Sequence, residues 1–263
     1  LFPDDDKESG IYPMKINHCM LLALGGLAAS FSVSAKMLDT FETFLTPQVN
    51  ALGFNLTSSG GTANDRPAGD ALGGVATDTD FAVLSRRASL LRTGGSGSPT
   101  FSNAGGGTAT WSNSQTDTST ATLRYVFDVE DFGSQNITAI DFLLPNPVSG
   151  VDLTIQVFTS GSSPASPGMV GIQGVFPDAF SGVASTFNAA SLTTSIGGGT
   201  AGVWNTARQI IFTMTSTTPG VVLEIEEISF LRTAEVPEAK TMIPALGLTG
   251  LVGFVAWKRR KSN

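Results

Sequence analysis

Residues 151–159, VDLTIQVFT, alternate apolar and polar side chains: Val151, Leu153, Ile155 and Val157 fall in one phase, Asp152, Thr154 and Gln156 in the other. A period of two is the signature of an extended strand with one face in a core and one in water. Strand signals recur along the chain, and no long amphipathic helical pattern accompanies them. They lie at 81–91 (FAVLSRRASLL), 108–112 around Trp111, 121–129 (ATLRYVFDV), 137–144 (ITAIDFLL), 208–214 (RQIIFTM) and 221–230 (VVLEIEEISF). In 121–129 the pattern puts Leu123, Tyr125, Phe127 and Val129 on one face, while 137–144 reads as buried on both faces. In 221–230, Leu223 and Ile225 share one phase and Ile228 and Phe230 the other, which predicts a bulge near Glu226 and Glu227. Gly, Ser and Pro clusters at 94–99, 105–107, 161–168 and 197–199 separate these runs as turns. Roughly eight to ten strands with such loops predict an all-β, two-sheet β-sandwich, jelly-roll-like, with the first and last strands in one sheet.

The two ends of the chain have a different character. Residues 1–13 are polar and read as an upstream extension, because Met14 opens a better start. From Met14 a short segment with Lys15 leads into an apolar run and then Ser34-Ala35, small residues that suit a signal peptidase cutting after Ala35. Residues 14–35 are thus expected to be a signal-peptide helix, and 36–234 the mature sandwich domain. The only His and the only Cys, His18 and Cys19, both lie in the segment removed.

At the other end, residues 242–257 are apolar apart from Thr249 and are followed by Lys258, Arg259, Arg260 and Lys261. Sixteen helical residues span about 24 Å, and the stems of the flanking lysines extend this toward the bilayer thickness. A transmembrane helix with its basic cluster in the cytoplasm is expected, leaving the domain outside the inner membrane.

Val236-Pro237-Glu238, the apolar helix and the terminal basic cluster together resemble the PEP-CTERM sorting signal of Gram-negative bacteria, with Ala239 where the usual motif has Pro. The resemblance covers residues 235–263. It implies recognition by an exosortase, loss of the tail, and an address at the cell surface or in the extracellular matrix of a bacterium that makes exopolysaccharide and biofilm. The middle of the chain resembles the exported sandwich domains that precede such tails.

Residues 36–234 carry eight basic against sixteen acidic side chains, with no basic stripe, so no nucleic acid partner is expected. Without His or Cys, the mature chain lacks the parts for Ser-His-Asp or Cys-His hydrolysis and for zinc sites that need imidazole or thiolate. Paired carboxylates for glycoside hydrolysis are compatible with the composition, so a polysaccharide-active enzyme stays open as one alternative. The leading expectation is a non-enzymatic surface or matrix protein. A carbohydrate-binding module is the other alternative, with Trp111 or Trp204 as stacking platform; the competing role for each Trp is to plug the core.

No cofactor is expected except structural calcium, which needs six to eight oxygens. Asp128, Glu130 and Asp131 form one candidate cluster, and Asp78 with Asp80 another. The preferred one joins Asp39 to Glu227, with Glu42 and Glu226 nearby, across paired first and last strands. That preference rests on the resemblance of jelly-roll carbohydrate modules, which hold calcium there. Exposed strand-end acids are the competing reading of all three.

Overall fold

The computed structural model describes residues 35–41, 54–64, 81, 83–103, 107–162, 168–182, 185–199 and 202–233. The expected signal peptide up to residue 34 and the sorting tail, with its transmembrane helix, lie outside the described residues. Among the described residues no helix is long and apolar enough to cross a membrane.

The described chain is built of strands. They are β1 (Ala35–Asp39), β2 (Asn55–Thr57), β3 (Thr62–Asn64), β4 (Val83–Gly94), β5 (Thr100–Ser102), β6 (Ala109–Ser112), β7 (Thr118–Glu130) and β8 (Ile137–Leu143). There follow β9 (Val151–Phe158), β10 (Gly171–Phe176), β11 (Ser185–Asn188), β12 (Thr194–Ile196), β13 (Ala207–Ser216), β14 (Val222–Ile225) and β15 (Glu227–Arg232). Two single 3₁₀ turns, Ala189–Ser191 and Val203–Asn205, interrupt them.

A seven-stranded sheet in the order β12-β10-β9-β13-β7-β4-β3 faces two four-stranded sheets, β1-β15-β8-β11 and β14-β6-β5-β2. The pairings that build all three are antiparallel. Alternation sets the faces. In β9 the apolar phase is buried throughout, and in β7 Ala121, Leu123, Tyr125 and Phe127 turn inward. They meet the inner residues of both smaller sheets. The Phe142 ring of β8 lies 5.2 Å from Phe212 of β13, and the Trp111 indole of β6 donates a hydrogen bond to Ser119 of β7. One continuous apolar cluster fills the space between the layers. The all-β sandwich expected from the alternation is thus the architecture found.

Three details differ from the sequence reading. The phase change at Glu226 is a change of sheet and no bulge: β14 pairs with β6 in one four-stranded sheet, and β15 pairs with β8 in the other. Both halves of the run therefore keep their apolar residues inward. Val129 is 49% exposed, because β7 advances from Val126 to Glu130 while β13 moves only from Gln209 to Ala207, and the surplus residues bulge out of the ladder. Finally, β8 is buried on one face only: Ile137, Ile140 and Phe142 point inward, while Leu143 is 48% exposed.

Candidate functional site

Asp39 ends β1, and β1 pairs with β15 so that Asp39 lies opposite Ile228. The first and last strands of the domain are neighbours, which is the proximity that would bring Asp39 to Glu227. Facing directions then separate the two acids. Residues directly opposite in a ladder share a face, so Asp39 points inward with the fully buried Ile228, while Glu227 is half-buried.

Inside the sandwich Asp39 meets Arg86 of β4. The guanidinium Nη1 donates to Oδ2 at 2.7 Å and to Oδ1 at 3.0 Å. The Tyr125 hydroxyl donates to Oδ2 at 2.7 Å, and the Phe41 backbone N–H donates to Oδ1 at 2.8 Å. Phe41 reaches this position at φ 55°, in the left-handed region. The Arg86 cation also lies near the rings of Phe41 and Phe54, at 5.7 and 5.6 Å. Asp39 is 3% exposed. Burial and the neighbouring Asp39 charge push the Tyr125 phenol well above its ordinary pKa, so it stays a neutral donor.

This cluster corrects the calcium expectation at Asp39 and Glu227: both Asp39 oxygens are taken by donors of the same chain, and the counter-charge is an arginine. Glu42, Asp78 and Asp80 lie outside the described residues. In the third cluster, Glu130 accepts from Gln135 and Asp131 accepts from the Ser134 N–H. Among the described residues no group of three or more acids, His or Cys is placed to hold a metal ion.

The two tryptophans part company. Trp111 is fully buried. Its Nε1–H donates to Ser119 Oγ at 2.8 Å, and that hydroxyl donates to Asn113 Oδ1 at 2.5 Å. An indole without accessible surface cannot stack on a sugar, so Trp111 as platform is corrected to Trp111 as core plug. Trp204, in the second 3₁₀ turn, is half-buried; its ring lies 4.9 Å from Phe132 and its Nε1–H donates to the Ile137 carbonyl at 3.1 Å. Its indole is thus anchored to the body of the domain. Ala35, the residue before the expected signal cleavage, opens β1 and pairs with Leu231. Val236, Pro237, Glu238, Lys258, Arg259, Arg260 and Lys261 lie outside the described residues.

Sequence reasoning missed the outer face of the seven-stranded sheet. The ladders align Ser89, Thr122, Thr213 and Thr154 across β4, β7, β13 and β9. Beside them run Arg87, Arg124, Ile211, Gln156 and Gln173, continuing into β10. The Gln156 amide donates to Gln173 Oε1 at 2.7 Å, and Thr120 and Thr215 share a hydrogen bond at 3.3 Å. The polar phase of each strand was legible. The registers that stack these phases, and that bury Ile211 and Phe158 of the same face against Met169, were not.

No family model matches the chain, and no curated protein is similar to it. Among solved structures, the family 11 carbohydrate-binding module from Clostridium thermocellum, in complex with a β-1,3-1,4-mixed-linked tetrasaccharide, is 13% identical with a TM-score of 0.36, covering 78% of this chain and 99% of that one. The family 11 xylanase from Neocallimastix patriciarum is 8% identical with a TM-score of 0.26, covering 68% of this chain and 96% of that one. At these values the likeness adds nothing to what the strands themselves show.

Proposed function

We propose that the chain is a non-enzymatic protein of the cell surface or extracellular matrix of a Gram-negative bacterium, exported by its signal peptide and sorted by an exosortase through residues 235–263. The observation that supports this best is the register of the end strands. Ala35, where the signal is expected to end, lies opposite Leu231, five residues before Val236 of the sorting motif. The strand that follows one address segment pairs with the strand that precedes the other. This pairing supports the reading of residues 36–234 as one jelly-roll-like domain between the two address segments. Signal peptidase has to act before β1 docks, because the Ala35–Lys36 bond becomes part of the ladder. The inner membrane holds the precursor only until the tail is removed.

Mass spectrometry of the protein from its own cells tests this. The expected product begins at Lys36 and lacks residues 258–263; a chain retaining Lys258 to Asn263 in every cell fraction overturns the sorting reading.

A second reading, binding of extracellular polysaccharide, is favoured by the outer face of the seven-stranded sheet. Its aligned Thr, Ser and Gln side chains both donate and accept hydrogen bonds, as sugar hydroxyls do.

A further inference from the structure

Lys36 lies opposite Phe230 in the β1–β15 ladder and so shares the inward side of that ring. Its Nζ sits 4.8 Å from the centroid of the Phe81 ring, and Phe81 packs against Phe132 and Phe230. From this half-buried position Nζ donates to Gln135 Oε1 at 2.7 Å. A nitrogen that close to a carbonyl oxygen is within about 4 Å of the carbonyl carbon, near the distance of attack. The other end of the same amide is held as well: Gln135 Nε2 donates to Glu130 Oε2 at 2.9 Å. An amine, an amide and a carboxylate on the amide nitrogen thus form one chain of contacts.

Three separate pieces of backbone bring them together. Lys36 belongs to β1, Glu130 ends β7, and Gln135 lies in the turn before β8. That turn is well braced. The Ser134 N–H donates to Asp131 Oδ1, and the N–H groups of Asn136 and Ile137 donate to the carbonyls of Gly133 and Phe132. Gly133 packs so closely that a Cβ there would meet Asn205 Oδ1. A glutamine presented by a fixed turn to a paired strand has little freedom left to lose before reaction.

We infer that Lys36 and Gln135 join in an intramolecular isopeptide bond, with Glu130 as the acid–base group. The neutral Nζ adds to Cδ, so that the Nζ–Cδ bond forms and the Cδ–Nε2 bond breaks. The proton that Nζ sheds passes by way of the Glu130 carboxylate to Nε2, which leaves as ammonia. No oxidant and no second reactant enter the step. The bond has a structural use. β1 is an edge strand with β15 as its neighbour, and residues 36–263 hold no Cys that could staple it by a disulfide. A link between positions 99 residues apart closes a long loop, and long loops are where a covalent tie restrains the unfolded chain most. This inference goes beyond the surface-protein reading and does not depend on it.

The test is intact-mass and peptide-map analysis of the purified full chain. Its mass is expected to fall about 17 Da below the value calculated for its termini, the loss of one ammonia. A protease map then contains a branched peptide joining Lys36 to Gln135. Lys36→Arg keeps the cation and a donor for Gln135 but offers no nucleophilic amine. That variant is expected to fold, to show the full calculated mass and to melt several degrees below the parent. Gln135→Leu also shows the full mass, and Glu130→Gln is recovered largely without the deficit. A parent at full mass overturns the bond. A deficit that survives in Lys36→Arg overturns the assignment to this pair, and complete cross-linking of Glu130→Gln overturns the role of Glu130. Equal melting temperatures for a cross-linked parent and Lys36→Arg overturn the bracing role.

Discussion

At the scale of single residues, the most consequential side chain is Asp39. Arg86 and Arg87 are adjacent in the sequence, yet in β4 they point to opposite faces: Arg86 lies inside, opposite Tyr125, and Arg87 lies outside, opposite Arg124. A buried guanidinium persists only with its charge and donors matched. Asp39 does this from the opposing layer, with Tyr125 and the Phe41 N–H sharing its oxygens. Replacing Asp39 with Ala takes the buried carboxylate away from Arg86 and is expected to destabilise the fold by about 3–5 kcal/mol in urea denaturation. The double variant Asp39→Leu with Arg86→Met removes both charges and recovers most of that loss. A single variant within about 1 kcal/mol of the parent would mean that the pair is solvated.

At the scale of elements, two loops lock at one end of the sandwich around Asp117, which sits before β7. Oδ1 accepts the Gly97 N–H at 2.6 Å, and Oδ2 accepts the Ser114 hydroxyl at 2.6 Å. Gly95, at φ 85°, holds the facing turn; a Cβ there would run into the Thr116 carbonyl oxygen. The Ser114 hydroxyl, helped by the Gly97 and Ser96 N–H groups and Arg92, holds the Asp117 pKa below its ordinary value, with burial opposing. A depressed carboxyl pKa stabilises the fold above the unfolded value of about 3.9 and loses that contribution as pH falls through the folded value. Asp117→Asn is therefore expected to lower the melting temperature at pH 7 and to flatten its decline below about pH 4. Parallel melting-temperature curves for parent and variant across that range would remove Asp117 from the acid response. At this scale the sequence was only partly legible. The long strands β7, β9 and β13 announced themselves, while β2, β3, β5 and β12, each of three residues, are too short to show a period. In β10, GIQGVF, one glycine falls in each phase, Gly174 beside the inward Ile172 and Gly171 beside the outer Gln173, and this blurs the alternation.

At the scale of the whole molecule, closure depends on the two ends of the domain. Strand β15 lies between β1 and β8, so its sheet forms only when the last described strand has arrived. Contacts so distant in sequence form late, because loop closure must be met before they stabilise anything. A chain truncated after Ile225 loses β15 and with it the partner of Asp39's strand. It is expected to show no cooperative thermal transition and to be digested rapidly by a nonspecific protease. A truncated chain that melts cooperatively near the parent would show that the seven-stranded sheet and its remaining partners fold without closure.

The alternation of side chains along the long strands determined on its own that the described residues form sheets with one face buried, because a period of two sends successive side chains to opposite faces. The single His and the single Cys, His18 and Cys19, are likewise a matter of sequence alone, and residues 36–263 hold no imidazole or thiol. Tertiary structure decided everything that depends on which strands are neighbours. It placed Arg86 against Asp39, sealed Trp111 inside, divided 221–230 between two sheets, and set Arg124 beside Gln209. A strand carries its own phase in its sequence, but its register and partners arise from packing among residues far apart in the chain.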